Sequence, residues 1–223
     1  MNLKAIAHAV LSAIALSVIA IAAFGLPSVK AVAHQVDEKY NHLQTLEADF
    51  IEIYQGVGAV RSESGKLWLK KPGKMRWEYR SPEEKLFVAD GHTGWLYLPL
   101  EKQVRKSSMK SLDDLRSPLA FLLGKTKLEK ELFGLSFAPD IETWHTDDMI
   151  LRGVPAALSD RISEVLLEIT PEHQIARILI HSVDDSTTEY RFSNQKENIN
   201  IPDSQFRFTP APGTEVIDEQ TGN

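Results

Sequence analysis

The sequence predicts a mainly β domain of the α+β class: one curled antiparallel sheet with helices over its concave face. Three observations predict it. From Ala48 onward, short runs rich in Val, Ile, Phe, Trp and Tyr are punctuated by Gly56, Gly58, Pro72-Gly73, Pro82, Asp90-Gly91 and Pro99, the pattern of an antiparallel meander. A helical period at Val36, Tyr40, Leu43 and Leu46 precedes the strands. A leucine-rich segment, "SMKSLDDLRSPLAFLLGKTKLEKELF", interrupts them. In it Ser111 is an N-cap, Asp113 and Asp114 fall in the first turn, and Leu112, Leu115, Leu119, Leu122 and Leu123 repeat at helical spacing. Pro118 kinks or splits this helix. A sheet of this size buries an apolar concave face under such helices, so residues 111–133 are expected to form a lid.

The N-terminus carries one charged side chain, Lys4, then an apolar run from Ala5 to Phe24 and the small-residue site Ala31-Val32-Ala33. Residues 1–33 therefore read as a secretory signal peptide cleaved after Ala33. The alternative is an uncleaved anchor, because the run is long enough to span a bilayer. Residues 34–223, roughly 190 in number, suit a single domain. The absence of cysteine excludes disulfides, thiol chemistry and a lipid-modified Cys tether. A net charge of −6 without a Lys/Arg-rich block argues against nucleic-acid binding.

The stretch "GKLWLKKPGKMRWEY" (Gly65 to Tyr79) holds the candidate site. Pro72-Gly73 signals a turn or bulge. Side chains alternate across a strand, which puts Met75, Trp77 and Tyr79 on one face and Lys74, Arg76, Glu78 and Arg80 on the other. If parity carries through the turn, Lys71 points with Met75 and Trp77 into an apolar concavity, where an unpartnered ammonium is costly. Lys66, Lys70, Lys74, Arg76 and Arg80 then make a basic outer face, either a docking surface for an acidic partner or a solvated strand face. Further strands are expected at Ile141 to Trp144, Met149 to Leu151, Ser163 to Ile169, Ile175 to Val183, Thr187 to Phe192 and Phe206 to Thr209.

Signals for catalysis are weak. His34, His42, His92, His145, His173 and His181 form no metal-binding spacing; His145 with Asp147 and Asp148 is the nearest, and a solvated turn explains it. There is no G-x-S-x-G elbow. Glu83-Glu84, Asp113-Asp114 and Asp184-Asp185 sit at turns or a helix start, where capping and solvation account for them. No enzyme, cofactor or metal is expected.

The order "LEADFIEIYQ", "GKLWLKKPGKMRWEY", "VADGHTGWLYLP", "KQV", "SPLAFLLG" and "FRFTPAPGTEVID" resembles the LolA family of periplasmic outer-membrane lipoprotein carrier proteins over nearly the whole chain after Ala33. The resemblance implies an incomplete antiparallel β-barrel whose hydrophobic concave face is covered by a helical lid. It implies a non-enzymatic, monomeric periplasmic chaperone with lipoproteins as cargo, an ATP-driven lipoprotein-releasing complex in the inner membrane as donor, and an outer-membrane lipoprotein receptor as acceptor. The expected acyl-chain cavity is Leu69, Met75, Trp77, Trp95, Leu115, Leu119 and Leu122. The family usually places Arg where this chain has Lys71, and there that Arg ties the lid; Lys71 is therefore the expected lid latch. The alternative on the same fold is a periplasmic lipid- or glycolipid-binding module.

Overall fold

The computed structural model describes residues 27–108 and 127–219 of the chain. Helix α1 (Val29–His42) leads into β1 (Thr45–Gly56), β2 (Ala59–Lys70), β3 (Lys74–Ser81), β4 (Lys85–Asp90), β5 (Thr93–Leu98) and β6 (Gln103–Ser108). A single helical turn, α2 (Leu128–Glu131), precedes β7 (Leu132–Phe137), β8 (Met149–Pro155), β9 (Ile162–Ile169), β10 (Ile175–Ser182), β11 (Thr187–Glu197) and β12 (Glu215–Asp218). Among the described residues these strands make one twelve-stranded sheet in the order β12-β6-β5-β4-β3-β2-β1-β11-β10-β9-β8-β7. Every pairing is antiparallel except β12 on β6. The edges β12 and β7 do not meet, so the barrel is incomplete.

Curvature comes from breaks in register. The ladder shifts between Glu47 and Asp49 in β1 and between Ser64 and Gly65 in β2, and bulges of this kind bend a strand and deepen its twist. At Gly65 the neighbouring strand approaches so closely that a Cβ would lie 1.9 Å from the Glu78 carbonyl oxygen, which explains why the residue has no side chain.

Helix α1 begins earlier than the apolar period suggests. The Ser28 hydroxyl caps it by accepting the Ala31 N–H at 3.1 Å. Val32, Ala33, Val36 and Tyr40 form its buried stripe, which packs on the concave face against Leu46, Phe50, Leu167 and Ile178. The Tyr40 hydroxyl accepts the Ile175 N–H at 2.9 Å. The helix ends at His42; Leu43 is its C-cap and Leu46 already belongs to β1. Asp37 accepts the Leu128 N–H at 3.1 Å, tying α2 to α1. Burial, with Glu131 and Glu129 nearby, pushes the Asp37 carboxyl up to about 6.

Three sequence expectations change. Ile141 to Trp144 is loop, not strand. The Trp144 and His145 N–H groups turn onto the buried Glu168 carboxylate at 2.5 and 3.2 Å, which Arg177 also holds at 2.6 Å. Phe206 to Thr209 is no strand either: Phe206 closes a 3-10 turn (Asp203–Phe206), and the chain runs on as a strap over the convex face. There Phe208 packs on Trp95 at 6.0 Å and Tyr97 at 5.5 Å. Of the expected lid, residues 111–126 lie outside the described residues, 128–131 are α2, and Leu132 and Phe133 open β7.

The basic outer face is largely neutralised by carboxylates. Lys66 pairs with Glu47 at 3.3 Å and Asp49 at 3.5 Å, and Arg76 and Arg80 flank Glu78 at 3.3 and 3.1 Å. Lys70 and Lys74 share Asp203 at 2.7 and 2.9 Å, and their hydrogen bonds bring the Asp203 carboxyl down to about 2. Alternating charge, not a positive field, marks this surface.

Cleavage after Ala33 would cut α1 inside its buried stripe, removing the Ser28 cap and Val32 with it. A chain starting at His34 is expected to be less stable than one starting at Pro27 by about 2–4 kcal/mol, from the lost cap and the cavity left in the core. Urea unfolding of the two chains measures this, and coincident midpoints would show that the first turn of α1 carries no stability.

Candidate functional site

The two halves of the concave face are filled differently. Over β1 and β8–β11, the stripe of α1 joins one continuous core with Leu151, Leu167, Ile169, Ile178 and Phe192. Against β3–β6 a cavity of about 500 Å³ remains, within the roughly 300–1,000 Å³ typical of ligand pockets. Met75, Trp77, Tyr79, Phe87, Leu96 and Leu98 make most of its wall, with Tyr190 closing one side. Polar groups at the wall are Glu52, Lys85, Arg105, Ser107 and Glu219.

Register determines which side chains face the cavity. Trp77 stands opposite Phe87, and Phe87 opposite Leu96, so the odd residues of β3 and β4 and the even residues of β5 share the concave side. Edge-to-face contacts, Phe50 on Tyr79 and Tyr190 on Trp77, run through the aromatic wall. Phe50 lies 4.7 Å from Trp77 and 4.9 Å from Tyr79, and Tyr190 meets Trp77 at 5.9 Å. Such geometry sets positive ring edges against negative ring faces.

A small polar cluster is embedded in this wall. The Tyr79 hydroxyl donates to Glu52 Oε2 at 2.7 Å, and the Tyr190 phenol faces the same carboxylate. Burial first, and the Glu52 charge second, push both phenols well above their ordinary range, so both stay neutral. Lys85 pairs with Glu63 at 2.5 Å and sits 4.2 Å over the Tyr79 ring. The Trp77 indole N–H is buried without a partner among the described residues.

The residues singled out in the sequence fall in four places. Met75 and Trp77 line the cavity and are also buried in the core, at 3% and 2% exposure. Leu69 is core, packed in the cluster that α1 covers. Trp95 belongs on the other face: it stands opposite Val88, and its ring packs under Phe208 with the Lys106 ammonium at 5.7 Å. Leu115, Leu119 and Leu122 lie outside the described residues. Lys71 does turn to the concave side, where its ammonium donates to the carbonyls of Tyr40 and, at 3.2 Å, Asn41. These carbonyls end α1, where the helix dipole favours a cation. Phe87, Leu96, Leu98, Tyr190 and Glu52 were missed. Parity counted from Trp77 would have placed Phe87, and carrying it across the Asp90-Gly91 hairpin would have placed Leu96 and Leu98.

An open half-barrel that packs one half of its concave face and leaves the other as an aromatic-walled cavity defines a class: hollow binding proteins that hold an apolar ligand against a curved sheet. Within that class the chain belongs to the family described as outer membrane lipoprotein carrier protein LolA, which it matches over residues 41–209. Curated relatives described as outer-membrane lipoprotein carrier protein include one from Dechloromonas aromatica, 31% identical with 88% of this chain and 93% of the relative covered. Another, from Nitrosospira multiformis, is 29% identical over 79% of this chain and 83% of the relative. Among solved structures, an uncharacterized conserved protein of Thermus thermophilus superposes with a TM-score of 0.55 at 13% identity, covering 84% of this chain and 97% of that one. The Mycobacterium tuberculosis lipoprotein LppX gives a TM-score of 0.50 at 15% identity, covering 78% and 98%. At these identities the structural likeness concerns the fold.

Because Leu96 and Phe87 line the cavity while half-buried, and Trp77 also supports the core, the two kinds of position respond differently. Leu96→Glu is expected to weaken binding of a fluorescent fatty-acyl probe at least tenfold with a thermal midpoint close to wild type. Trp77→Glu is expected to lower stability by more than about 3 kcal/mol. Probe titration and thermal melts of both variants test this, and unchanged probe affinity in Leu96→Glu would remove β5 from the ligand site.

Proposed function

We propose that this protein is a periplasmic chaperone that takes up the acyl chains of lipoproteins released from the inner membrane and delivers them to an outer-membrane receptor. The observation that carries the reading is the cavity itself, an aromatic and aliphatic space against β3–β6 beside a half that α1 fills. Family membership supports lipoproteins as the cargo. The donor is an ATP-driven releasing complex in the inner membrane, the acceptor an outer-membrane lipoprotein receptor, and the working form a monomer. The chaperone performs no chemistry of its own. Export depends on an N-terminal leader within the segment read as residues 1–33.

Energetics explain the need. Each methylene moved from hydrocarbon into water costs about 0.8 kcal/mol, so a cargo with two or three long chains faces tens of kcal/mol on its way between membranes. A cavity that replaces the membrane removes most of that barrier. Release stays possible because ligand contacts are confined to one half of the concave face, and a receptor that binds the chains better draws them onward.

Lys71 acts in this reading as the latch between the Lys71-Pro72-Gly73 turn and the covering helices. The ammonium supplies three donors where a guanidinium would supply five in a planar fork, so closure here is weaker than in relatives with Arg. Weaker closure favours loading and lowers retention.

Two experiments test these assignments. Depletion of the protein followed by membrane fractionation is expected to leave lipoproteins at the inner membrane, and protein isolated from the native periplasm is expected to carry acylated protein by mass spectrometry. An unchanged lipoprotein distribution, or free glycolipid as the only bound species, would overturn the carrier role. For the latch, spin labels at His42 and His92 are expected to show a longer and broader distance distribution in Lys71→Leu than in wild type, and a narrower one in Lys71→Arg. Identical distributions in all three proteins would leave Lys71 as an ordinary rim lysine.

A further inference from the structure

We infer that the tip of the β1–β2 hairpin, Gly56 to Arg61, is a contact surface for the headgroup region of a phospholipid bilayer, touching down reversibly where the protein loads or delivers. The inference goes beyond the carrier reading by adding a second surface, since none of residues 54–61 lines the cavity.

The hairpin is built to project. β1 and β2 pair as far as Gly56 opposite Ala59, whereas the ladder between β2 and β3 ends at Ser64 opposite Ser81. Residues 59–63 therefore carry the hairpin past β3 by roughly 15 Å, given the rise of a strand. Val57 and Gly58 make the turn, and Gly58 takes the left-handed conformation (φ 73°) that only glycine adopts at no cost. At the apex Val57 is 98% exposed, Val60 is 74% exposed, and Ala59 between them is exposed as well. Turns ordinarily carry Asn, Asp or Ser in such places, so three neighbouring apolar residues at one apex call for an apolar partner.

Behind the apex sits an amphipathic layer. Tyr54 stands opposite Arg61, whose guanidinium lies 4.7 Å from the centre of the phenol ring. Gly56 makes room for that ring, since a Cβ there would lie 2.4 Å from the Tyr54 hydroxyl; the tyrosine thus runs along the hairpin toward the apex. Both side chains have an apolar body and a polar end, the combination that settles at the level of lipid headgroups. Arg61 is the single charge between Gln55 and Ser62, a cation on a chain of net charge −6, and a lipid phosphate is its complement. The neighbouring β10–β11 turn adds Val183, 57% exposed, together with the exposed Asp184 and Asp185. Those two carboxylates hold the body of the protein off an anionic surface and confine contact to the tip. A two-residue turn presents a narrow convex point, suited to entering a soft plane. So small an apolar wedge attaches reversibly, as a carrier that must leave each membrane requires.

Co-sedimentation of the protein isolated from the periplasm with vesicles of phosphatidylethanolamine and phosphatidylglycerol tests the tip. Wild type is expected to bind weakly, and less as salt rises. Val57→Asp is expected to lower the vesicle-bound partition about tenfold or more, and Arg61→Glu about fivefold or more, with acyl-probe affinity unchanged in both. Leu96→Glu, altered in the cavity, is expected to bind vesicles as wild type does, so failure of the carrier reading and failure of the tip are told apart. Because the chain lacks cysteine, an environment-sensitive dye on Val57→Cys supplies a second measurement. Its emission is expected to shift to the blue on vesicles, while a dye on His92→Cys, in the exposed β4–β5 turn at the opposite end of the sheet, keeps its wavelength. Absence of vesicle binding by wild type, undiminished binding by Val57→Asp, or loss of binding in Leu96→Glu would overturn the inference. A dye at position 57 that responds to a partner protein and not to lipid would overturn it equally.

Discussion

An apolar concave sheet face must be covered, yet a carrier must not have that face filled, and the placement of α1 reconciles the two demands. Its stripe of Val32, Ala33, Val36 and Tyr40 is wide enough to complete a core over β1 and β8–β11, and the β3–β6 side keeps its cavity. The filled half supplies the cohesion of a normal interior. That cohesion lets the other half exist as a space bounded by partly exposed rings. Everything that fixes α1 therefore also fixes the shape of the cavity: the Ser28 cap, the Tyr40 bond to Ile175, the Asp37 bond to Leu128 and the Lys71 ammonium at its last carbonyls.

The convex side is held by a different logic. Between Glu47 and Lys74, each lysine that alternates with the inward groups meets a carboxylate, and the C-terminal strap contributes Asp203 to the same ladder. Exposed pairs of this kind add little stability individually. Their value is positional, since they bring the strap across the outside of the sheet, where Phe206 is buried and Phe208 covers Trp95 and Tyr97. Those tryptophan and tyrosine rings are the outer skin of the wall whose inner skin is Leu96 and Leu98.

Much of this was legible in the sequence, because a period of two leaves a direct trace. The alternation of Met75, Trp77 and Tyr79 with Lys74, Arg76 and Glu78 gave the correct face, and parity survived the Lys71-Pro72-Gly73 turn because Leu69 pairs with Met75 across it. Trp95 misled for an instructive reason. Large aromatics mark burial, not direction, and a sheet covered on both sides buries aromatics on both. The strap that covers the convex face lies about a hundred residues away in sequence, so local pattern could not announce it. Ile141 to Trp144 has the composition of a strand, yet its N–H groups are drawn to Glu168, a single buried charge that outweighs β propensity. Glu52 was invisible as a site residue because one acidic residue in a strand reads as outward-facing until the register shows that it looks inward.

The sheet's two unjoined edges bear on how capacity is determined. In a closed barrel, strand number and stagger together fix the diameter. Here β12 holds β6 through a short parallel ladder and β7 ends the other side with a shifted register against β8, so no ring condition applies. Width is set by the twist of the sheet and by the elements packed across its concave face, α1 among them. How much of the hollow stays open is then decided by what packs across it, not by closure of a ring.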